Sequence, residues 1–339
     1  SGAISDAASG YSVGASYLVD VVTAASVDIV STATPRWTEV RQAAAAHGTY
    51  QPKQVGGTAS VAVSSEPDYL SMTGGGGLTF ELDRKRLLLG AGYAYSRDEA
   101  GRTGTPFSVY SLLLHRHLLQ GSLTIVIDRS TELTFVLDST LEYGRQEKPY
   151  RYLALFDRAV APTVPNGAAI GTINALRLPG RVAERLPETR QRYSLSARLA
   201  NRGARRTIIA FERLYADSWG LVATTTDLRY VFDLGSHFTL HPEVRFHLQS
   251  GTSFWRRAYV GSVGAGVVEA PEFRSGDREL GPLLSTTLGL GSDLLLGNPS
   301  GNPWVLGGVL EGTRTSYFDA LFISKRYAEF LALTLEKTF

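Results

Sequence analysis

Three observations predict an all-β fold for this chain: a transmembrane antiparallel up-and-down β-barrel of about fourteen strands, with short periplasmic turns and long extracellular loops. Apolar and polar residues alternate with a period of two along most of the 339 residues, giving each segment one oily and one wet face. No run of about 18 or more apolar residues occurs, which excludes a conventional transmembrane helix but not a spanning strand, since a tilted strand needs only about 9 to 11 residues. Short polar connections alternate along the chain with longer ones, as a barrel with both termini in the periplasm requires.

The first predicted strand is Gly10 to Val21, with Tyr11, Val13, Ala15, Tyr17, Val19 and Val21 opposing Ser12, Gly14, Ser16 and Asp20. Thr23 to Pro35 reads as a loop of small residues, after which Val40, Ala44, Ala46 and Tyr50 oppose Glu39, Arg41 and His47. A turn at Gln51 to Gln54 leads to a brief strand, Thr58 to Ser64, and a longer one, Tyr69 to Leu82, which sets Leu70, Met72, Leu78, Phe80 and Leu82 against Ser71, Thr73, Thr79 and Glu81. Gly74 to Gly77 lies inside that strand. With no GK[ST] after it and no helix beginning there, it is read as bare backbone allowing a bend or a close approach, not as a phosphate loop.

Asp83 and Arg84 turn the chain into a strand with Leu87, Leu89, Ala91, Tyr93 and Tyr95 on one side and Arg86, Gly90, Gly92 and Ser96 on the other. Phe107 to Ile127 is long, and its alternation shifts near Leu118 to Gly121, where a bulge is expected. Leu133 to Tyr143 follows, then the longest interruption, Gln146 to Glu188, with five of the fourteen prolines. Strands resume at Arg190 to Leu199, Thr207 to Tyr215, from Trp219 through Phe232, and at Phe238 to Gln249, where Phe238, Leu240, Val244, Phe246 and Leu248 alternate with Thr239, His241, Glu243, Arg245 and His247. A second long loop, Thr252 to Asp277, precedes Leu280 to Leu294 and Trp304 to Thr313. No amphipathic helix is expected between the strands.

The last stretch, Arg326 to Phe339, places Tyr327, Leu331, Leu333, Leu335 and Phe339 on one face. A final strand that ends the chain on Phe resembles the terminal assembly signal of bacterial outer-membrane barrels, with Leu331, Leu333, Leu335 and Phe339 as its residues; Lys337 departs from that pattern. Strand count and the cost of an unpaired edge in lipid predict that this strand pairs with Gly10 to Val21. The organisation expected is one barrel domain over residues 1–339, with an N-terminal segment 1–9 and long extracellular loops 146–188 and 252–277. The chain begins at Ser1 and shows no signal-peptide pattern, so a processed mature form is expected.

Composition narrows the chemistry. A net charge of +2, without basic runs interleaved with aromatics, does not suggest a nucleic-acid partner. With no cysteine, the chain has no disulfides, thiolate metal sites, cysteine nucleophiles or covalent haem attachment. His241 and His247 share a strand face but stand roughly 20 Å apart at strand rise, too far for one metal. His115 and His117 read as an interfacial pair, and Asp20 and Asp28 with Ser26, Ser31, Thr32 and Thr34 form a weak cation pattern without EF-hand spacing. No GxSxG nucleophile motif occurs. No metal, cofactor or catalytic residue is therefore expected, and the chain is not read as an enzyme.

If the oily faces look outward, the interior receives Glu39, Arg41, Glu81, Arg86, Asp138, Glu142, Arg192, Arg198, Asp227, Arg229, His241, Glu243, Arg245 and His247. Two readings apply: ion-pair ladders between neighbouring strands, and a polar pathway tuned by those charges. Fourteen tilted strands enclose a backbone diameter of roughly 25 to 30 Å, wide enough to need side chains, a loop or a plug.

The chain also resembles an uncharacterised family of Gram-negative bacterial proteins predicted to be outer-membrane barrels. The resemblance rests on YLVDVVTAASVDIVSTATPRWTEVR (Tyr17 to Arg41), LLLHRHLLQGSLT (Leu112 to Thr124), KPYRYL (Lys148 to Leu153), ERLPETRQRYSLSARL (Glu184 to Leu199) and ERLYADSWGL (Glu212 to Leu221). It carries no chemistry with it. It implies genes beside small lipoproteins and flavin-transferring or thioredoxin-like redox proteins. The expected location is the bacterial outer membrane, with lipid and the barrel-assembly machinery as partners. Two functions are expected: a porin-like passage for a small polar or amphipathic solute, with the long loops as gates, or a non-enzymatic scaffold for a lipoprotein or redox partner complex.

Overall fold

The computed structural model describes residues 2–6, 10–22, 39–264, 267–298 and 302–337. The chain begins with β1 (Gly2–Asp6), β2 (Tyr11–Val22), β3 (Glu39–Tyr50), β4 (Val55–Glu66), β5 (Tyr69–Leu82), β6 (Leu87–Ala100), β7 (Leu112–Val126) and β8 (Thr131–Gly144). An insertion then carries β9 (Tyr152–Leu153), β10 (Leu155–Phe156), the short helix α1 (Ile170–Leu176) and β11 (Val182–Ala183). Next come β12 (Thr189–Arg202), β13 (Arg206–Asp217), β14 (Val222–Leu234) and β15 (Phe238–Gln249). A second insertion holds β16 (Tyr259–Val260), β17 (Ser262–Gly264) and β18 (Val267–Glu269), and β19 (Leu283–Leu296), β20 (Trp304–Tyr317) and β21 (Lys325–Lys337) follow.

Fifteen of these strands make one antiparallel up-and-down sheet, each bonded to its neighbour in the chain, and the two insertions stand outside it. The β1 strand has 5 residues and the other fourteen run from 12 to 15. Twelve residues at about 3.3 Å rise reach roughly 40 Å, and a tilt of about 40° brings that to the ~30 Å of a bilayer's hydrocarbon. Among the described residues, no helix is long and apolar enough to cross a membrane. Alternation gives the wall its two faces: Leu78, Leu89, Leu137, Leu195, Leu288 and Leu333 all stand exposed on the apolar side.

Sheet pairing also corrects several expectations. The terminal strand is bonded to β20 on one side, and among the described residues no ladder joins it to β2. Instead β1 folds back on β2, pairing Gly2 with Ala15 through Asp6 with Tyr11, and so takes up five of the twelve residues on the edge expected for the terminal strand. The bulge expected near Leu118 to Gly121 is absent, because β7 keeps an unbroken register with both β6 and β8 there. The apparent phase shift arises from side chains that defy the pattern: Leu114 and Leu118 share a parity with Arg116 and Gln120, opposite that of His115 and His117.

Phe107 to Ser111 is loop, and β7 begins at Leu112. The brief strand at Thr58 is the twelve-residue β4. Trp219 and Leu280 belong to connections that precede β14 and β19. A helix is present after all, the seven-residue α1. Thr23 to Pro35, most of the first-loop cation pattern and Phe339 lie outside the described residues.

A packed apolar core exists, and it sits in the long loops. Phe156, Ala161, Val164, Ala168 and Ile173 form one buried cluster, against which Ala258, Leu321 and Phe322 pack from two other loops. Leu153, Leu155 and Tyr259 form a second, and Leu283, Tyr317 and Ala320 a third. Parallel pairing of β10 with β16 and antiparallel pairing of β11 with β9 tie the insertions into one body. Residues 145–188, 250–264, 267–282 and 318–324 therefore form an interlocked lid at the end of the wall that carries the long connections.

Candidate functional site

The polar face of the wall is uneven. At the middle of β4 to β7 it is nearly bare: Thr58, Ser60, Gly75, Gly77, Gly90 and Gly92 line a recess of about 280 Å³, with the Arg116–Asp98 pair and Glu81 lying toward the strand ends. The four-glycine run is a strand, and Gly75 within it is needed. A Cβ at Gly75 would stand 2.9 Å from the Ala94 Cβ and 3.0 Å from the Tyr93 carbonyl oxygen, so strands β5 and β6 meet there over backbone alone.

Strands β8 and β12 to β15 carry long charged side chains on the same face, and most are joined across a ladder. Arg192 donates to Glu142 at 3.2 Å and to the Tyr215 hydroxyl at 3.1 Å. Ser194 and Gln120 donate to Asp138 at 3.0 and 2.8 Å. Arg198 meets Glu132 at 3.5 Å, Arg245 meets Asp227 at 3.0 Å, and Arg229 pairs with Glu243. His247 shares a hydrogen bond with Thr225 at 2.8 Å, and His241 stands 3.3 Å from Asp293. The antiparallel register brings these partners face to face, Asp227 with Arg245 and Arg229 with Glu243.

Other predicted residues lie apart from this group. Arg41 is 3.9 Å from Asp20, at the far side of the sheet. Glu81 accepts from Gln51 at 2.5 Å and meets Lys85 at 3.3 Å near the opposite end from the lid. Arg86 is not on the wall at all; it follows the turn after β5 and reaches Asp83 at 3.9 Å. Glu39 opens β3, its backbone paired with Val22.

Several residues were not singled out from sequence. Arg190 donates to Asp217 at 2.9 Å and lies over the Trp219 ring at 4.2 Å, while Asp217 also caps the turn by accepting from the Trp219 and Leu221 amides. Arg213 donates to Ser194 at 3.1 Å, and Arg116 pairs with Asp98. Parity would have found Arg190, which lies two residues from Arg192 on β12, whereas β6, β7 and β13 held no predicted residue to extend from. Beneath the lid, Arg190, Arg192, Arg213, Tyr215, His247 and Glu279 bound a polar recess of about 300 Å³.

The outer face has polar features too. His115 and His117 bond to the hydroxyls of Tyr95 at 2.6 Å and Tyr93 at 2.7 Å, and both stack on Tyr143, which makes an aromatic cluster near the lid end of the wall. Glu212, on the same parity as Leu214 and Ala210, is bonded by the hydroxyls of Thr224 and, at 2.6 Å, Thr226. Among the described residues no group of His, Asp and Glu could hold a metal ion.

The lid is anchored around the rim. Tyr150 donates to Asp68 at 2.7 Å and accepts from the Thr103 amide at 2.6 Å. Phe254 packs edge-on against Trp219 at 5.4 Å, and Gln249 donates to the carbonyls of Glu279 and Gly281. Within the lid, Arg151 bridges Glu184 at 3.3 Å and Asp277 at 2.9 Å, which joins the two large insertions. Burial works against the Arg151 cation, but the two carboxylates overcome it and hold its pKa above the ordinary value. Burial pushes the Glu184 carboxyl up, although Arg151 and Ser275 oppose the rise.

Comparison with known proteins places this geometry. The family described as "Protein of unknown function (DUF3570)" matches residues 115–301, more than half of the chain, and the chain belongs to that family. No curated protein matches it. Similar solved structures include the siderophore receptor PirA from Pseudomonas aeruginosa (TM-score 0.53, 11% identity, 96% of this chain and 55% of that one). The ferric enterobactin receptor PfeA from the same organism gives 0.52 at 12% identity, with 96% and 55% covered. CdiB from Acinetobacter baumannii gives 0.50 at 12% identity, with 97% and 54% covered. The chain thus spans about half the length of these structures, and the likeness is one of fold. It is a β-barrel protein of the bacterial outer membrane.

Proposed function

We propose that this member of the DUF3570 family forms a non-enzymatic passage through the outer membrane for a small polar or amphipathic solute, with the loops from Gln146 and Thr252 as its gate. One observation carries the reading: the polar face is lined mostly by glycine, serine and threonine at the middle of β4 to β7 and by charges along β8 and β12 to β15, with a lid of three interlocked loops at one end. A plugged or purely structural interior would gain from filling both sides, whereas small residues on one side leave room for a solute to move past fixed charges on the other. Glu39, Arg41, Glu81, Asp138, Glu142, Arg198, Asp227, Arg229, His241, Glu243, Arg245 and His247 are then lining residues of the interior. Paired charges serve such a passage well, since each is held by its neighbour and presents no bare ion to the solute.

The similar solved structures include siderophore receptors, which agrees with a barrel that handles a solute. Reconstitution into planar bilayers tests the proposal. The expected result is discrete conductance that rises when residues 157–177 of the lid are replaced by a short glycine-serine linker. A correctly folded sample that shows neither conductance nor solute flux, with or without that segment, rejects it.

A further inference from the structure

We infer that the lid holds a binding site for a compact oxyanion, a phosphate or carboxylate group borne on an apolar body. The inference deepens the passage reading by naming the class of solute; it rests on that reading for the solute's route, though not for its capture.

The site is the cavity where the lid's three loops meet. Six arginines line it, Arg151, Arg177, Arg181, Arg256, Arg257 and Arg278, and no aspartate or glutamate does. Its volume is about 40 Å³. At the ~10–15 Å³ that a single water needs, this accommodates a group of a few heavy atoms, the size of a phosphate or carboxylate.

The acceptors already bonded to Arg177 and Arg256 leave their positive charge in place. Arg177 donates to the Asn174 side-chain oxygen at 3.0 Å and to the carbonyls of Leu178 and Gly180 at 3.2 and 3.1 Å. Arg256 donates to the carbonyls of Ser253 and Trp255 at 3.2 and 2.5 Å. All of these acceptors are neutral. Arg151 and Arg257 do face carboxylates, Glu184, Asp277 and Asp319, but those lie outside the cavity lining. In both residues the Nε atom is buried and donates to no protein acceptor. A buried guanidinium N–H without an acceptor is costly, and an oxyanion supplies the charged acceptor that suits the planar fork.

Arg177 and Arg181 also repel each other: burial first, and then the Arg177 charge, lowers the Arg181 pKa below its ordinary value. A bound anion would relieve that repulsion. Trp255, Ile173, Leu321 and Phe322 complete the lining with apolar surface, which matches a ligand whose charged group continues into an apolar body and disfavours a cation or a neutral alkane.

The test is calorimetric titration of the purified 339-residue chain in a non-ionic maltoside detergent with dodecyl phosphate, inorganic phosphate and dodecyltrimethylammonium. Saturable binding of dodecyl phosphate is expected, weaker binding of inorganic phosphate, and none of the ammonium compound. Arg181→Gln and Arg256→Gln should each weaken dodecyl phosphate about tenfold, the equivalent of one charge-assisted hydrogen bond, with barrel mobility on unheated gels unchanged. Inorganic phosphate binding as tightly as dodecyl phosphate would overturn the apolar body and leave the oxyanion. Equal binding of the ammonium compound, or unchanged affinity in both variants, would overturn the site. Should the variants fail to fold, the discrimination by the unaltered chain between phosphate and ammonium on the same alkyl chain decides the matter. A barrel that conducts in bilayers but ignores dodecyl phosphate rejects this inference alone; one that binds it without conducting rejects the passage alone.

Discussion

At the scale of single residues, Asp217 bears the most structure. Its side chain is fully buried, one oxygen takes two bonds from Arg190, and the other caps the turn that carries Trp219. Removing one member of a buried pair strands the other charge, which costs about 3–5 kcal/mol. Asp217→Ala should therefore lose that much in a urea titration of the folded barrel, and a loss within ~0.5 kcal/mol would show that Arg190 is held by other contacts. Glu184 gives the lid a pH dependence. Its carboxyl, raised by burial when the lid is closed, binds a proton more tightly there than in an open lid. Closure gains most below the ordinary carboxylate pKa and loses that gain as pH rises through the raised value. Proteolysis within the lid should accelerate across that interval, and Glu184→Gln should flatten the response; a profile that runs the other way would contradict the buried-carboxyl account.

Among the elements, β5 shows how a strand can be legible from its pattern while its reason is not. The alternation of Leu70, Met72, Leu78, Phe80 and Leu82 with Ser71, Thr73, Thr79 and Glu81 places the strand and its faces, and the glycine run reads as bare backbone. Which glycine is indispensable depends on what stands across the ladder. A Cβ at Gly74 meets nothing within 4 Å, whereas one at Gly75 meets backbone of β6. Gly74→Val should assemble normally, while Gly75→Val should cost about 1–3 kcal/mol and lower the folded fraction, because backbone cannot step aside. Comparable yields of heat-modifiable barrel from the two variants would refute this. On β7, pattern reading misled, since two leucines on the polar face and two histidines on the apolar one imitate a phase shift. At the terminus, the cost of a bare edge predicted a partner for β21, but it could not foresee that β1 would compete for β2.

For the whole molecule, the structure divides into a wall and a lid. The wall has no oily centre to pack, and its apolar surface is turned outward to lipid. The buried apolar residues concentrate in loops that repeatedly cross-link, through Asn166 to Tyr317 and Ala320, Trp255 to Asp319, and Arg151 to Glu184 and Asp277. In the passage proposed above, such a lid would open as a unit, so the conductance of the barrel should switch between discrete levels and not drift. Cysteines placed at Asn166 and Ala320, in a chain that otherwise has none, should lock it in one level when oxidised; a conductance unmoved by oxidation and reduction would exclude the lid as a gate.

The amino-acid sequence by itself determined the barrel: a period of two is a local property, read two residues at a time, and so are the short turns and long connections that order the strands across a membrane. It determined as well which charges share the polar face with Asp138, Glu142, Asp227 and Glu243. The tertiary structure alone decided which of these pair, that the first strand covers part of the edge expected for the last, and that three distant loops close over six arginines. Those contacts join residues such as Arg151 and Asp277, or Asn166 and Ala320, whose proximity depends on how loops without any period fold back on one another.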